Sequence, residues 1–126
     1  MWPARRLGRG IPGIHCSAHL HGIEVVGRTL LPWEGVCTFN EPAEVLRQQV
    51  NQWIRTCGLL DKVIDFDAVM LDPAQARRLA PRFDSGIRPN DAGNAAMAGA
   101  IDLELCAHQG FVSAPAGRST HPAISD

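Results

Sequence analysis

At 126 residues the chain has room for a single domain. Its 12 basic and 13 acidic side chains are scattered and leave a net charge of −1, so no clustered basic face is offered to a nucleic acid. No apolar run approaches the ~20 residues of a membrane span, so neither nucleic acid nor membrane is an expected partner.

Residues 1–13 are rich in Gly, Pro and Arg and predict an irregular arm. They lack the apolar stretch of a secretory signal. Cys16, Cys37, Cys57 and Cys106 lie far apart with no C-x-x-C pair. That spacing argues against a cysteine zinc site or a redox motif and points to reduced thiols in a cytoplasmic protein. Ile14 to His21 is expected to close a helix, with Gly22 as its stop. Ile23 to Leu31 is a β-branched apolar run and predicts a buried strand, ended by the loop Pro32-Trp33-Glu34-Gly35.

Asn40 or Glu41, with Pro42 in the first turn, opens a helix. Val45, Leu46, Gln49, Val50, Trp53 and Ile54 follow at spacings of three and four, giving it an apolar stripe. Gly58 ends it. Lys62 to Met70 predicts a second strand, Leu71-Asp72-Pro73 a turn, and Gln75 to Leu79 a short helix. Phe83 to Asp91 is a loop that delivers the chain into a last helix reaching about Cys106, with Asn90 or Asp91 as its cap. Ala107 to Asp126 has no periodicity and is expected to be a disordered tail. Strand, helix and strand at this spacing predict a crossover with parallel strands. Ligands of such sheets bind beyond the carboxyl ends of the strands. Both the Trp33 loop and the Phe83 to Asp91 loop are expected on that rim.

Few residues carry the marks of chemistry. His15 and His19 would share one face of a helix, beside Cys16 and His21, at a spacing that can chelate zinc. No carboxylate stands at the expected place, and surface histidines are the reading taken. Trp33 suits packing or an apolar ligand equally. Asp65 and Asp67 flank Phe66 and would point to one strand face. Capping or loop hydrogen bonding is preferred for them over metal or acid–base work. Trp53 belongs to the apolar stripe of its helix.

The stretch Pro89-Asn90-Asp91-Ala92-Gly93 resembles the last block of the SGNH (GDSL-type) hydrolases, where a loop reading Asp-x-x-His-Pro-Asn-Asp-Ala-Gly precedes the final helix. Three other stretches are similar to the same family, in its order: His21 to Gly35, Ala43 to Thr56, and Val63 to Ala68 with Asp72-Pro73. The resemblance spans about Ile14 to Cys106. It implies an α/β fold of the flavodoxin-like, three-layer, parallel-strand kind over residues 14–106, truncated on its N-terminal side. It also implies ester or acyl hydrolysis as the ancestral activity. The family's Gly-Asp-Ser nucleophile loop and oxyanion-hole blocks have no counterpart upstream of Ile14.

Within the matching block the chemistry has changed. Arg88 holds the place of the family's catalytic His, Ser85 that of its catalytic Asp, and Asp84 stands one place too early. A guanidinium keeps its proton at working pH and cannot serve as a general base. Asp84-Ser85-Gly86 looks like a nucleophile motif but sits in the wrong block. Arg88 is read as a solvated cation, with an anion contact near the last helix as its functional alternative. The expectation is therefore a fragment that is catalytically silent alone, with no cofactor or metal. The alternatives are a binding module using the strand-end rim and a hydrolase completed by a second chain. The first strand would lack an inner neighbour, so self-association or a complementing chain is expected at its exposed edge.

Overall fold

The computed structural model describes residues 4–104, with side chains from residue 9 onward. The proposed tail, Cys106, His108 and His121 lie outside the described residues.

The first helix, α1, spans Ala4–Leu20 and begins well before the expected Ile14. From Ala4 onward the Gly/Pro/Arg-rich segment read as an irregular arm is thus helical, and Pro12 sits inside the helix. The stop falls where the sequence put it. Gly22 takes a φ of 69°, and the amide of Ile23 donates back to the Ala18 carbonyl at 2.9 Å. Such a left-handed residue closes a helix at little cost only when it has no Cβ.

Strand β1, Val26–Arg28, is shorter than the apolar run that encodes it. Helix α2, Glu41–Thr56, is capped by Asn40, whose side chain accepts from the Ala43 amide at 2.9 Å. Strand β2, Lys62–Ile64, pairs with β1 in parallel, Gly27 opposite Val63. The strand–helix–strand unit with parallel strands is therefore present. The leucine of the α2–β2 loop, Leu60, fills the space where a side chain at residue 27 would stand, which explains a glycine in mid-strand.

Beyond Ile64 the structure departs from the expected long strand. Asp65 caps a short helix, α3, Phe66–Met70, by accepting from the Ala68 amide at 3.1 Å. A hairpin follows, β3 (Leu71–Asp72) antiparallel to β4 (Gln75–Leu79). Its turn is fixed by the Ala74 amide, which donates to Asp72 Oδ1 at 2.9 Å. The segment Gln75 to Leu79 is thus a strand, not a short helix. A 3₁₀ turn at Pro81–Phe83 leads to α4, Asp91–Gly99, shorter than the helix expected to reach Cys106.

Met70, Leu79, Ala80 and Phe83 form the buried apolar cluster, with Leu31, Ala96 and Met97 packed against it. It lies under the hairpin and α4. Gly93 is buried against Met70, Phe83 and Pro89, which crowd the space a Cβ would take and so favour glycine there. The amide of Glu34 donates to the Arg77 carbonyl at 2.9 Å, tying the hairpin to the loop after β1. The class is α/β with a small parallel sheet. Among the described residues, no helix is long and apolar enough to cross a membrane.

Candidate functional site at the strand ends

The carboxyl ends of β1 and β2 deliver Thr29, Asp65 and Asp67 to one place, and α2 lays a row of polar side chains over them. Thr29 is fully buried. Its hydroxyl donates to Asp65 Oδ1 at 3.0 Å and accepts from the Asp67 amide at 2.9 Å. Asn51, also fully buried, clamps the Leu30 peptide from both sides. Its Oδ1 accepts from the Leu30 amide at 2.7 Å and its Nδ2 donates to the Leu30 carbonyl at 2.9 Å. The amide side chain replaces the strand neighbour that the backbone lacks at this point.

Arg47 is the hub. Its guanidinium donates to both carboxylate oxygens of Glu44, at 2.9 and 2.8 Å, to Asp67 Oδ1, and to the Leu30 carbonyl at 3.0 Å. Arg55 grips Asp65 through two bonds, at 2.7 and 2.8 Å, and reaches Asp67 Oδ2 at 2.9 Å. Gln48 and the Trp33 indole complete the shell of Glu44, at 2.8 and 3.0 Å.

These contacts set the charge states. Burial works against the Glu44 carboxylate, but the donors from Arg47, Gln48 and Trp33 outweigh it and hold Glu44 below the usual range. Hydrogen bonds from Arg55 dominate at Asp65 and hold it low as well, against a smaller opposing effect of burial. Burial likewise opposes the charge on Arg47, and its bonds to Glu44 and Asp67 overcome it and raise the guanidinium. Arg47 and Arg55 thus hold Glu44 and Asp65 in their charged forms. A carboxylate held this low is a poor proton acceptor near neutrality.

Beside the network lies an open cleft of about 670 Å³, lined by Leu30, Leu31, Trp33, Ala43, Leu46 and Val50, with Arg47 at its polar edge. The Trp33 ring packs on Phe39, with centroids 5.1 Å apart. Trp33 therefore serves packing and the cleft together. Asp65 is a cap, as preferred from sequence. Asp67 is instead the shared acceptor of two arginines. Because β2 ends at Ile64, the two aspartates belong to a helix start and not to a strand face.

The loop of Asp84, Ser85 and Arg88 closes on itself. The Ser85 hydroxyl and amide both donate to the Arg88 carbonyl, at 2.6 and 3.1 Å. Asp84 accepts from the Gly86 amide at 2.7 Å, and Asp84 pairs with Pro89 as an isolated bridge. All three side chains are exposed, and none lines the cleft. Among the described residues no hydrogen bond joins Ser85 to a histidine. Cys16 and Cys37 are exposed and Cys57 half-buried, all as free thiols.

The sequence reading missed Glu44, Arg47, Asn51 and Arg55. Their signal was a second stripe on α2 at spacings of three, four and four, polar where the first is apolar. Two arginines of that stripe match the two aspartates after β2. No family model matches this chain, and no curated protein does.

Proposed function

We propose that this chain is an α/β domain of SGNH-hydrolase type, partial and flavodoxin-like, that does not hydrolyse esters by itself. The observation that carries the reading is the closed Asp84–Pro89 loop. Where the family places an acid and a base, Ser85 spends its hydroxyl on the Arg88 carbonyl and Asp84 is turned to its own loop. Arg88 has no lone pair with which to take a proton. The carboxylates at the strand ends are neutralised by Arg47 and Arg55, so no base replaces the missing one there.

Hydrolysis of short-chain nitrophenyl esters tests this. The expected rate equals that of the buffer blank, and turnover well above it overturns the reading. If another chain supplies the nucleophile and base, turnover appears only when that chain is added.

The apolar cleft favours a second reading, a binding module that has kept the strand-end rim. Leu30, Leu46 and Val50 turn toward an open space next to an indole that has one face packed and one edge hydrogen-bonded. A medium-chain fatty acid or alcohol would fit such a lining. Raised thermal stability and quenched tryptophan emission on adding it, both reduced by Leu46→Ala, would support this second reading.

A further inference from the structure

His15 and His19, one turn apart on α1, meet a carboxylate that no reading of the helix could supply. It is Asp61, from the loop between α2 and β2. His19 Nε2 lies 2.8 and 3.0 Å from the two oxygens of Asp61, and His15 Nε2 lies 4.0 Å from Oδ1. The two imidazole centroids are 3.8 Å apart. We propose that His15, His19 and Asp61 form a site for a divalent zinc-class cation.

The spacing suits that ion. Two ligands at zinc bond lengths of about 2.0–2.1 Å and a tetrahedral angle stand roughly 3.3 Å from each other. The observed separations to Asp61 bracket this value, and the candidate ligand atoms of all three residues lie within 4.8 Å of one another, so side-chain adjustment alone can bring them around one centre. Imidazole nitrogen and carboxylate oxygen are the donor set that zinc shares with cobalt and nickel.

The frame is already rigid on both sides. Asp61 Oδ2 accepts from the Val25 amide at 2.7 Å, while the Asp61 amide donates to the Val25 carbonyl at 2.9 Å. This reciprocal pair fixes the carboxylate to the backbone leading into β1. On the helix side, the amides of His21, Gly22 and Ile23 return to the Ala18 and His19 carbonyls and fix the end of α1. Anchors of this kind hold ligands in place before an ion arrives.

Three protein ligands leave one tetrahedral position for water or another group. A cleft of about 330 Å³, lined by His19, Gly22, Ile23, Glu24 and Asp61, opens beside the His19–Asp61 pair. The ion would also cross-link α1 to the loop that leads into β2, joining residues 42 positions apart in the chain.

Calorimetric titration of Zn²⁺ into the full chain, with its thiols alkylated, tests the site. One saturable equivalent is expected. His15→Ala and Asp61→Asn should each weaken it by at least about tenfold, and His21→Ala should leave it unchanged. Asp61→Asn keeps an acceptor for the Val25 amide, so loss of binding in that variant reports the ligand and not the fold. Co²⁺ in place of Zn²⁺ should give visible bands of nitrogen and oxygen ligation without sulfur-to-cobalt charge transfer. No saturable binding overturns the proposal. So does an affinity unmoved by His15→Ala and Asp61→Asn, or one lost in His21→Ala.

Discussion

Arg47 has its guanidinium buried, with both oxygens of one carboxylate, one of another and a backbone carbonyl around it. Taking two charges out of water is costly, and such a group is retained only where each partner is satisfied. Arg47→Met keeps the volume but leaves Glu44 a buried anion without its ion pair and, among the described residues, Asp67 with Arg55 as its one remaining cation. The expected loss is about 3–5 kcal/mol of unfolding free energy in urea, the range for breaking one side of a buried pair. Acid should act through the same groups. Glu44 and Asp65 are held below their ordinary values in the folded chain. The unfolded chain therefore takes up protons first as pH falls, from about 4.3 for Glu and 3.9 for Asp. Stability should be constant above that window and decline below it, until pH passes the lowered folded values. In Asp65→Asn the decline should be shallower, which urea midpoints across pH 2–7 would measure.

Helices and strands were legible to different degrees. The αL stop at Gly22, the Asn40 cap of α2 and the Asn90 cap of α4 follow from local chemistry, and local chemistry is what a sequence displays. Asn90 accepts from the Gly93 amide and donates to the Arg82 carbonyl, at 2.9 and 3.0 Å, so it holds two segments. Asn90→Ala should cost about 0.5–2 kcal/mol, the range for an N-cap, measurable by thermal or urea unfolding. Gln75 to Leu79 was illegible because its residues favour a helix, and only pairing with β3 makes it a strand. The helical start of α1 was hidden by Gly8, Gly10, Pro12 and Gly13, each a poor helix former. Most instructive is α2. Its apolar stripe suggested the buried face, yet the fully covered residues are Glu44, Arg47 and Asn51, while Val45 is 54% exposed. The polar face is satisfied by strand-end partners, whose positions are tertiary information. The site's carboxylates, Asp65 and Asp67, could be named from sequence. Their arginine partners could not be paired with them until α2 was laid across the strand ends.

For the whole molecule, the apolar cleft beside α2 and the compact cluster around Met70 and Phe83 meet at Leu31, which lines the first and packs on the second. Among the described residues β1 has one strand neighbour, and Val26 and Leu30 are 41% and 46% exposed. An open edge of this kind invites pairing. Sedimentation velocity should therefore show a weight-average mass that rises with concentration, and Val26→Lys should shift it towards the monomer. Charge on an edge strand is a common means of preventing such pairing. The central claim, however, concerns chemistry. A serine hydrolase announces itself by an activated hydroxyl that a fluorophosphonate phosphonylates irreversibly, the serine oxygen displacing fluoride from phosphorus. Here Ser85 donates to the Arg88 carbonyl and the loop offers it no base. Intact mass spectrometry of the full chain after such treatment tests this most directly. The account predicts an unchanged mass. A single stoichiometric adduct, abolished by Ser85→Ala, would contradict it.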